Sequence, residues 1–109
     1  MEELVAKGEG VYQMNCVACH QVNGAGIPGI FPALAGSDIV LNNKPRNVEI
    51  LMEGVQGAAM QSFANQLSEV DMAAVITYTR RAWGNDSKGD GEIVVPKEIV
   101  EYKENKIKI

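Results

Sequence analysis

Cys16-Val17-Ala18-Cys19-His20 is the stretch on which the fold turns, because it holds both cysteines of the 109-residue chain and its only histidine. A Cys-x-x-Cys pair serves three chemistries: zinc ligation, a redox dithiol and covalent haem attachment. A structural zinc site takes four ligands drawn mainly from Cys and His. This segment offers three, so zinc would need a carboxylate or a second chain. A thioredoxin-like dithiol follows a buried strand and opens a helix in a βαβ context. Here the residues before Cys16 are polar with helical spacing, and no βαβ alternation is visible. A histidine directly after the second cysteine is what a c-type haem requires: the thiols add to its vinyl groups and the adjacent imidazole reaches the iron. Cys16, Cys19 and His20 therefore read as the attachment site of one covalent haem c, with dithiol and zinc as the alternatives.

Haem iron then needs a second axial ligand, and the chain has no second histidine. Methionine sulfur is the usual partner in electron-transfer cytochromes. Met1 is terminal, and Met14 lies too close to Cys16 to cross to the opposite haem face. Met52 and Met72 sit in helical stretches, where methionine usually fills core. Met60 lies in Gly54-Val55-Gln56-Gly57-Ala58-Ala59-Met60-Gln61-Ser62-Phe63, which has two glycines and no helical periodicity. Glycine lets backbone pass close over a flat cofactor. Met60 is the expected second ligand; Met52 and a vacant or water-ligated position are the alternatives.

Working outward, Leu4, Gly8, Val11, Tyr12 and Asn15 fall at helical spacing and predict a first helix over Glu2–Asn15 that delivers Cys16 to the haem. Gln21–Gly36 is rich in glycine with Pro28 and Pro32, a loop composition. Asn47–Glu53 reads as a short helix preceded by Pro45 and ended by Gly54. The clearest helix spans Glu69–Trp83: Ser68 and Asp71 form a capping pattern, Arg80 and Arg81 suit the last turn, and Gly84 stops it. Met72, Val75, Ile76, Thr79 and Trp83 make its apolar stripe. No β-alternation precedes residue 92, so the domain is expected to be all-α. Asn85–Gly91 has linker composition, Glu92–Val95 an extended one, and Pro96–Lys103 reads as two turns of helix. This tail is expected to fold back, to cover another part of a larger complex, or to remain floppy.

Composition narrows the partners. Ten basic against fourteen acidic side chains give a formal charge of −4. Lys103, Lys106 and Lys108 are interleaved with Glu101 and Glu104, so no basic patch exists and no nucleic acid is expected as partner. The longest mostly apolar runs, such as Val70–Ile76, fall far short of the ~20 residues a membrane span needs. Direct membrane insertion of this chain is not expected. Aromatic residues are only 6% of a chain too short to build a large core, so a bound macrocycle would supply apolar area that the side chains lack.

Gly8-x-x-x-Tyr12-x-x-x-Cys16-x-x-Cys19-His20, Phe31-Pro32-Ala33-Leu34-x-Gly36, Gly57-x-x-Met60 and Val75-x-x-Tyr78 resemble, in order and spacing, a class I cytochrome c. More narrowly, residues 24–34 (GAGIPGIFPAL) and 71–80 (DMAAVITYTR) resemble the cytochrome c domain at the C-terminus of bacterial cytochrome c oxidase subunit II of the caa type. The resemblance implies about four helices wrapped around one haem c, with residues 1–84 as the cytochrome domain and 85–109 as linker and tail. It assigns Pro32 the backbone carbonyl that accepts from the non-ligating nitrogen of the haem histidine, fixing ring orientation. It has Leu34 pack on the haem, and Gly8 and Tyr12 cross Val75 and Tyr78 on the last helix. His20 and Met60 would be the iron ligands.

With both axial positions filled, the expected role is electron transfer, not catalysis. Val17, Ala18, Ile27, Pro28, Ile30, Ala58 and Ala59 are candidates for an apolar docking patch at the haem edge, and Arg46, Trp83 and Asn43 are candidate propionate partners. The resemblance implies a donor cytochrome c or quinol–cytochrome c reductase on one side and the subunit II copper domain on the other. A free periplasmic cytochrome, the cytochrome domain of another redox enzyme, and a haem sensor or peroxidase are the alternatives. Haem attachment on the outer side of the bacterial inner membrane implies the periplasmic face. Residues 1–15 have no signal-peptide pattern. The expectation is therefore a piece of a membrane-anchored protein, monomeric in isolation, with the copper ligands upstream.

Overall fold

In the computed structural model, which describes residues 2–27, 33–55, 60, 62–64 and 66–107, helix α1 (Glu2–Asn15) has the bounds its periodicity predicts. A one-residue break at Cys16 leads into the four-residue α2 (Val17–His20). Then follow α3 (Asp38–Asn42), α4 (Lys44–Glu53), α5 (Glu69–Arg81), a 3₁₀ turn over Ala82–Ser87, and α6 (Pro96–Ile107). No strand occurs among the described residues, so the all-α expectation holds. Six α-helices stand among the described residues against the expected count of about four, because α2 and α3 are too short to carry a periodic signal.

Local chemistry sets the ends. Ser37 caps α3. Asn43 caps α4 by accepting from the Arg46 backbone N–H at 3.2 Å. Helix α4 therefore starts three residues before the expected Asn47, with Pro45 inside its first turn, where a missing N–H costs nothing. Ser68 accepts from Asp71 N at 3.1 Å, the predicted cap of α5. At its other end α5 stops at Arg81, short of Trp83, because Trp83 and Gly84 take positive φ of 57° and 82°.

Helix α5 is the axis of the molecule. Eight of its thirteen residues are buried, more than the single predicted stripe can account for. Two partners cause this. On one side α1 crosses closely at Gly8, where a Cβ would collide with Ala74 O and lie 2.7 Å from Tyr78 Cβ. At this crossing Tyr12, Tyr78 and Trp83 form a mutual cluster with ring centroids 5.2–5.7 Å apart.

The other partner is the C-terminal segment, which does not trail away as a floppy tail. Thr77 Oγ1 donates to Val94 O at 2.8 Å and accepts from Val94 N at 3.0 Å, both groups being buried. Arg80 is 5% exposed; its Nε donates to Glu92 O at 2.9 Å and its Nη2 pairs with Asp90 and Leu41 O. Val94 and Ile99 are fully buried, each worth roughly 1.5–3 kcal/mol of apolar burial. Helix α6 starts at the expected Pro96 but runs four residues beyond Lys103, to Ile107. Lys44 ties it to α4 through Glu98 at 2.8 Å.

Candidate haem site

The Cys16 N–H donates to Tyr12 O at 2.8 Å and the His20 N–H to Cys16 O at 2.9 Å, so the motif is wound as a broken extension of α1. Cys16 and His20 stand one helical turn apart and are half-buried. Cys19 lies in α2 by its backbone; its side chain lies outside what is described. Gln21 ends the turn with φ of 68°, and Gly26 N closes onto His20 O at 3.0 Å. Both backbone groups of His20 are thereby fixed.

The aromatic cluster locks this segment from behind. Tyr12 Oη donates to Gln21 O at 2.5 Å, and Trp83 Nε1 to Val22 O at 3.0 Å. Burial, with smaller contributions from Cys16 and Tyr78, pushes the Tyr12 hydroxyl far above the usual phenol range, so it stays a donor. Gly24, with φ of 70°, lies against the Trp83 indole, where a Cβ would come within 2.6 Å of the ring. Gly24 O in turn accepts from Leu34 N at 2.7 Å and Ala35 N at 3.0 Å. The indole N–H is therefore spent on the motif loop, Arg46 pairs with Glu49, and Asn43 caps α4. Each of the three candidate propionate partners thus makes one contact of its own within the protein.

Asn85 is the residue that sequence reasoning missed. It is fully buried; its Oδ1 accepts from Gly36 N at 2.8 Å, and its Nδ2 donates to Leu34 O at 3.2 Å and Thr79 O at 2.8 Å. One side chain thus joins the Leu34 loop to the end of α5. Its setting in Asn85-Asp86-Ser87-Lys88-Gly89 has the composition of an exposed linker, so only its amide chemistry hinted at a buried role.

Met60 is half-buried against the core, and its carbonyl accepts from Val55 N at 3.0 Å. Beyond it, Phe63 N donates to Leu51 O at 2.9 Å and Ser62 Oγ to Met52 O. Met52 and Met72 are 7% and 0% exposed within the core, as core fillers should be, and Met14 is 86% exposed. Pro32 lies outside the described residues, as do Pro28, Ile30, Ala58, Ala59 and the side chain of Ala18; Val17 and Ile27 are half-buried. Cys16, Val17, Leu34, Met60 and Leu67 pack on the core while remaining only partly covered. Such a half-covered apolar set, which includes Cys16 and Val17 of the motif itself, fits a flat apolar macrocycle.

A family-level sequence profile described as "Cytochrome C oxidase, cbb3-type, subunit III" matches residues 3–78. A cytochrome c-552 of Thermus thermophilus is 38% identical over 100 residues, which cover 79% of this chain and 75% of that protein. The chain belongs to the class I cytochromes c. Its cofactor is haem c and its activity is electron transfer, which decides between the haem, dithiol and zinc readings. The cytochrome is also 34% identical over 92 residues to the cytochrome c subunit of a quinone alcohol dehydrogenase from Gluconobacter oxydans. That match covers 75% of this chain but only 19% of the relative. Among solved structures, a dihydro-heme d1 dehydrogenase superposes with a TM-score of 0.59 at 26% identity, over 70% of this chain and 16% of that one. Cytochrome cL from Hyphomicrobium denitrificans, at 23% identity and a TM-score of 0.53, shares the fold over 91% of this chain and 64% of its own. The narrower expectation of an oxidase subunit II is not carried by these matches. No described helix of the cytochrome is long and apolar enough to cross a membrane.

Proposed function

We propose that this cytochrome domain holds its haem through Cys16 and Cys19, ligates the iron with His20 and Met60, and relays single electrons on the periplasmic side of the membrane. When bound, the haem iron supplies reversible one-electron exchange between ferric and ferrous states. His20 is presented on a turn whose backbone groups are already paired. That fixes the backbone from which the imidazole would reach the iron. Leu34, and Pro32 in its loop, would sit against the same face, Leu34 excluding water and Pro32 orienting the imidazole. The observation that carries the reading is the sorting of the methionines. Met52 and Met72 are committed to the core and Met14 to solvent, whereas Met60 is half-covered and lies outside the described helices. Two protein ligands leave an exogenous molecule no open position, which favours a relay over a sensor or peroxidase.

For the direction of electron flow, we favour delivery from a donor cytochrome or quinol-oxidising complex to the copper domain of a cytochrome c oxidase subunit II. Support comes from residues 24–34 and 71–80, which resemble that subunit's cytochrome domain. The second reading is a relay within a dehydrogenase, favoured by the likeness to the alcohol dehydrogenase cytochrome c subunit.

Carbon monoxide tests the first part. The ferrous protein should resist it, and Met60→Ala should bind it readily; ready binding by the unaltered protein would count against Met60. Mixing the ferrous protein with an isolated copper domain tests the second. Fast oxidation supports the oxidase assignment, and no reaction alongside fast reduction by a quinone-linked dehydrogenase replaces it with the second reading.

A further inference from the structure

The last turn of α4 anchors the Met60 segment. A helix end leaves its final carbonyls without intrahelical partners. Two of these in α4, Leu51 O and Met52 O, are taken by the Phe63 N–H and the Ser62 hydroxyl. The Met60 arm therefore sits wherever that turn sits. Helix α6 grips the same turn from outside. Tyr102 Oη donates to Glu53 Oε2, the terminal residue of α4, across 49 residues of chain. The Tyr102 ring packs on the core cluster that holds Leu51, Met52 and Ile99.

We propose that Tyr102 is a positioning residue for the sixth ligand: by holding Glu53 it fixes the end of α4, and through it the arm that presents Met60 to the haem iron. This rests on Met60 being that ligand. The path is short and covalent or hydrogen-bonded at every step: Tyr102 to Glu53, Glu53 to its helix neighbours Leu51 and Met52, and those carbonyls to Phe63 and Ser62. Burial, with the Glu53 carboxylate adding to it, pushes the Tyr102 phenol up to about 12, so it remains a donor at any ordinary assay pH. Helix α6 also carries a contact unrelated to this turn, the Lys103–Glu69 pair at 3.3 Å, which reaches α5 instead.

The test uses ferric holoprotein and its far-red band from methionine sulfur on iron, titrated with imidazole as the competing ligand. Tyr102→Phe keeps the ring and removes the hydrogen bond. It should raise the apparent imidazole affinity roughly three- to tenfold, the equilibrium range that an ordinary solvent-exposed hydrogen bond commands. Glu53→Ala should match it, Glu53→Gln should largely restore the unaltered value, and the Tyr102→Phe/Glu53→Ala pair should add nothing to either alone. Lys103→Ala loosens α6 at another point and should leave the titration unmoved. If Tyr102→Phe leaves imidazole affinity unchanged, or if Lys103→Ala shifts it equally, the positioning role is overturned while Met60 ligation stands. If the unaltered protein lacks the far-red band and Met60→Ala does not change its spectrum, Met60 ligation falls and the positioning role falls with it.

Discussion

The segment carrying His20 and the described residues of the segment carrying Met60 are held by different parts of the helical frame. The first is closed from several sides: both His20 backbone groups are paired, Gln21 O and Val22 O accept from Tyr12 and Trp83, and Gly24 O binds the Leu34 loop. In the second, the described residues bond elsewhere: Val55 N donates to Met60 O, and Phe63 N and Ser62 Oγ donate to the end of α4. Damage to the first should therefore cost global stability. Damage to the second should ease ligand exchange while the fold survives.

The harshest way to break the comparison is to remove what both segments cover. Cys16→Ala with Cys19→Ala abolishes covalent attachment and leaves Val17, Leu34 and Met60 without a cofactor to finish their burial. The haem-free chain should lose most of its helical circular dichroism, and a native-like spectrum would contradict a haem-completed core. Next in size is Gly8→Val. Its side chain would enter the Ala74 carbonyl and the Tyr78 Cβ, so α1 must lift from α5, at about 3 kcal/mol or more for overpacking at a helix crossing. Thermal unfolding reads this loss. The far-red band of the folded fraction should persist, because the Met60 arm is anchored on α4 and not on α1. A variant equally stable in denaturation would refute the tight crossing.

Asn85→Ala comes third. It strips partners from Gly36 N, Leu34 O and Thr79 O at a fully buried position. The expected loss is about 2 kcal/mol, since buried groups left unpaired carry their desolvation cost. It should appear in denaturant midpoints with little change in imidazole binding. The opposite pattern would place the Leu34 loop with the adjustable arm.

Legibility in the sequence followed the same division. The Cys16–His20 motif, α1 and the Ser68 cap were readable because each rests on local chemistry: a covalent spacing, a 3.6-residue period and an Asp71 N–H within reach of a hydroxyl. The sorting of Met52 and Met72 into the core was readable from their helical surroundings. What escaped was set by contacts across long stretches of chain. Arg80 reads from the sequence only as a cation suited to a helix end, yet it is buried because Asp90 and Glu92 return to it. Asn85 looked like linker and is a buried joint. Val94 and Ile99 lie in a short apolar stretch after a polar one, a pattern equally compatible with a loose tail, and only the reciprocal Thr77–Val94 bonds explain why they bury. The extent of α4 escaped for a local reason, since Pro45 reads as a stop unless Asn43 is recognised as the cap.

The smallest expected effect concerns the C-terminal segment, and its sign follows from its carboxylates. The Arg80 hydrogen bond, with the Glu92 N–H, holds Asp90 below its ordinary range. Burial pushes Glu98 up, but hydrogen bonds from Lys44 and the Val95 N–H outweigh it and leave it lowered. Groups depressed in the folded state add stability that is complete above their unfolded value of about 4 and is lost as pH falls through the folded one. Docking of α6 should therefore weaken below about pH 4 while the motif loop, held by uncharged donors and carbonyls, does not respond. Hydrogen exchange makes the comparison within one molecule. The Val94 amide, bonded to Thr77, should lose protection on acidification before the Leu34 amide, bonded to Gly24. Simultaneous loss at both would mean that the C-terminal segment and the motif loop open as a single unit.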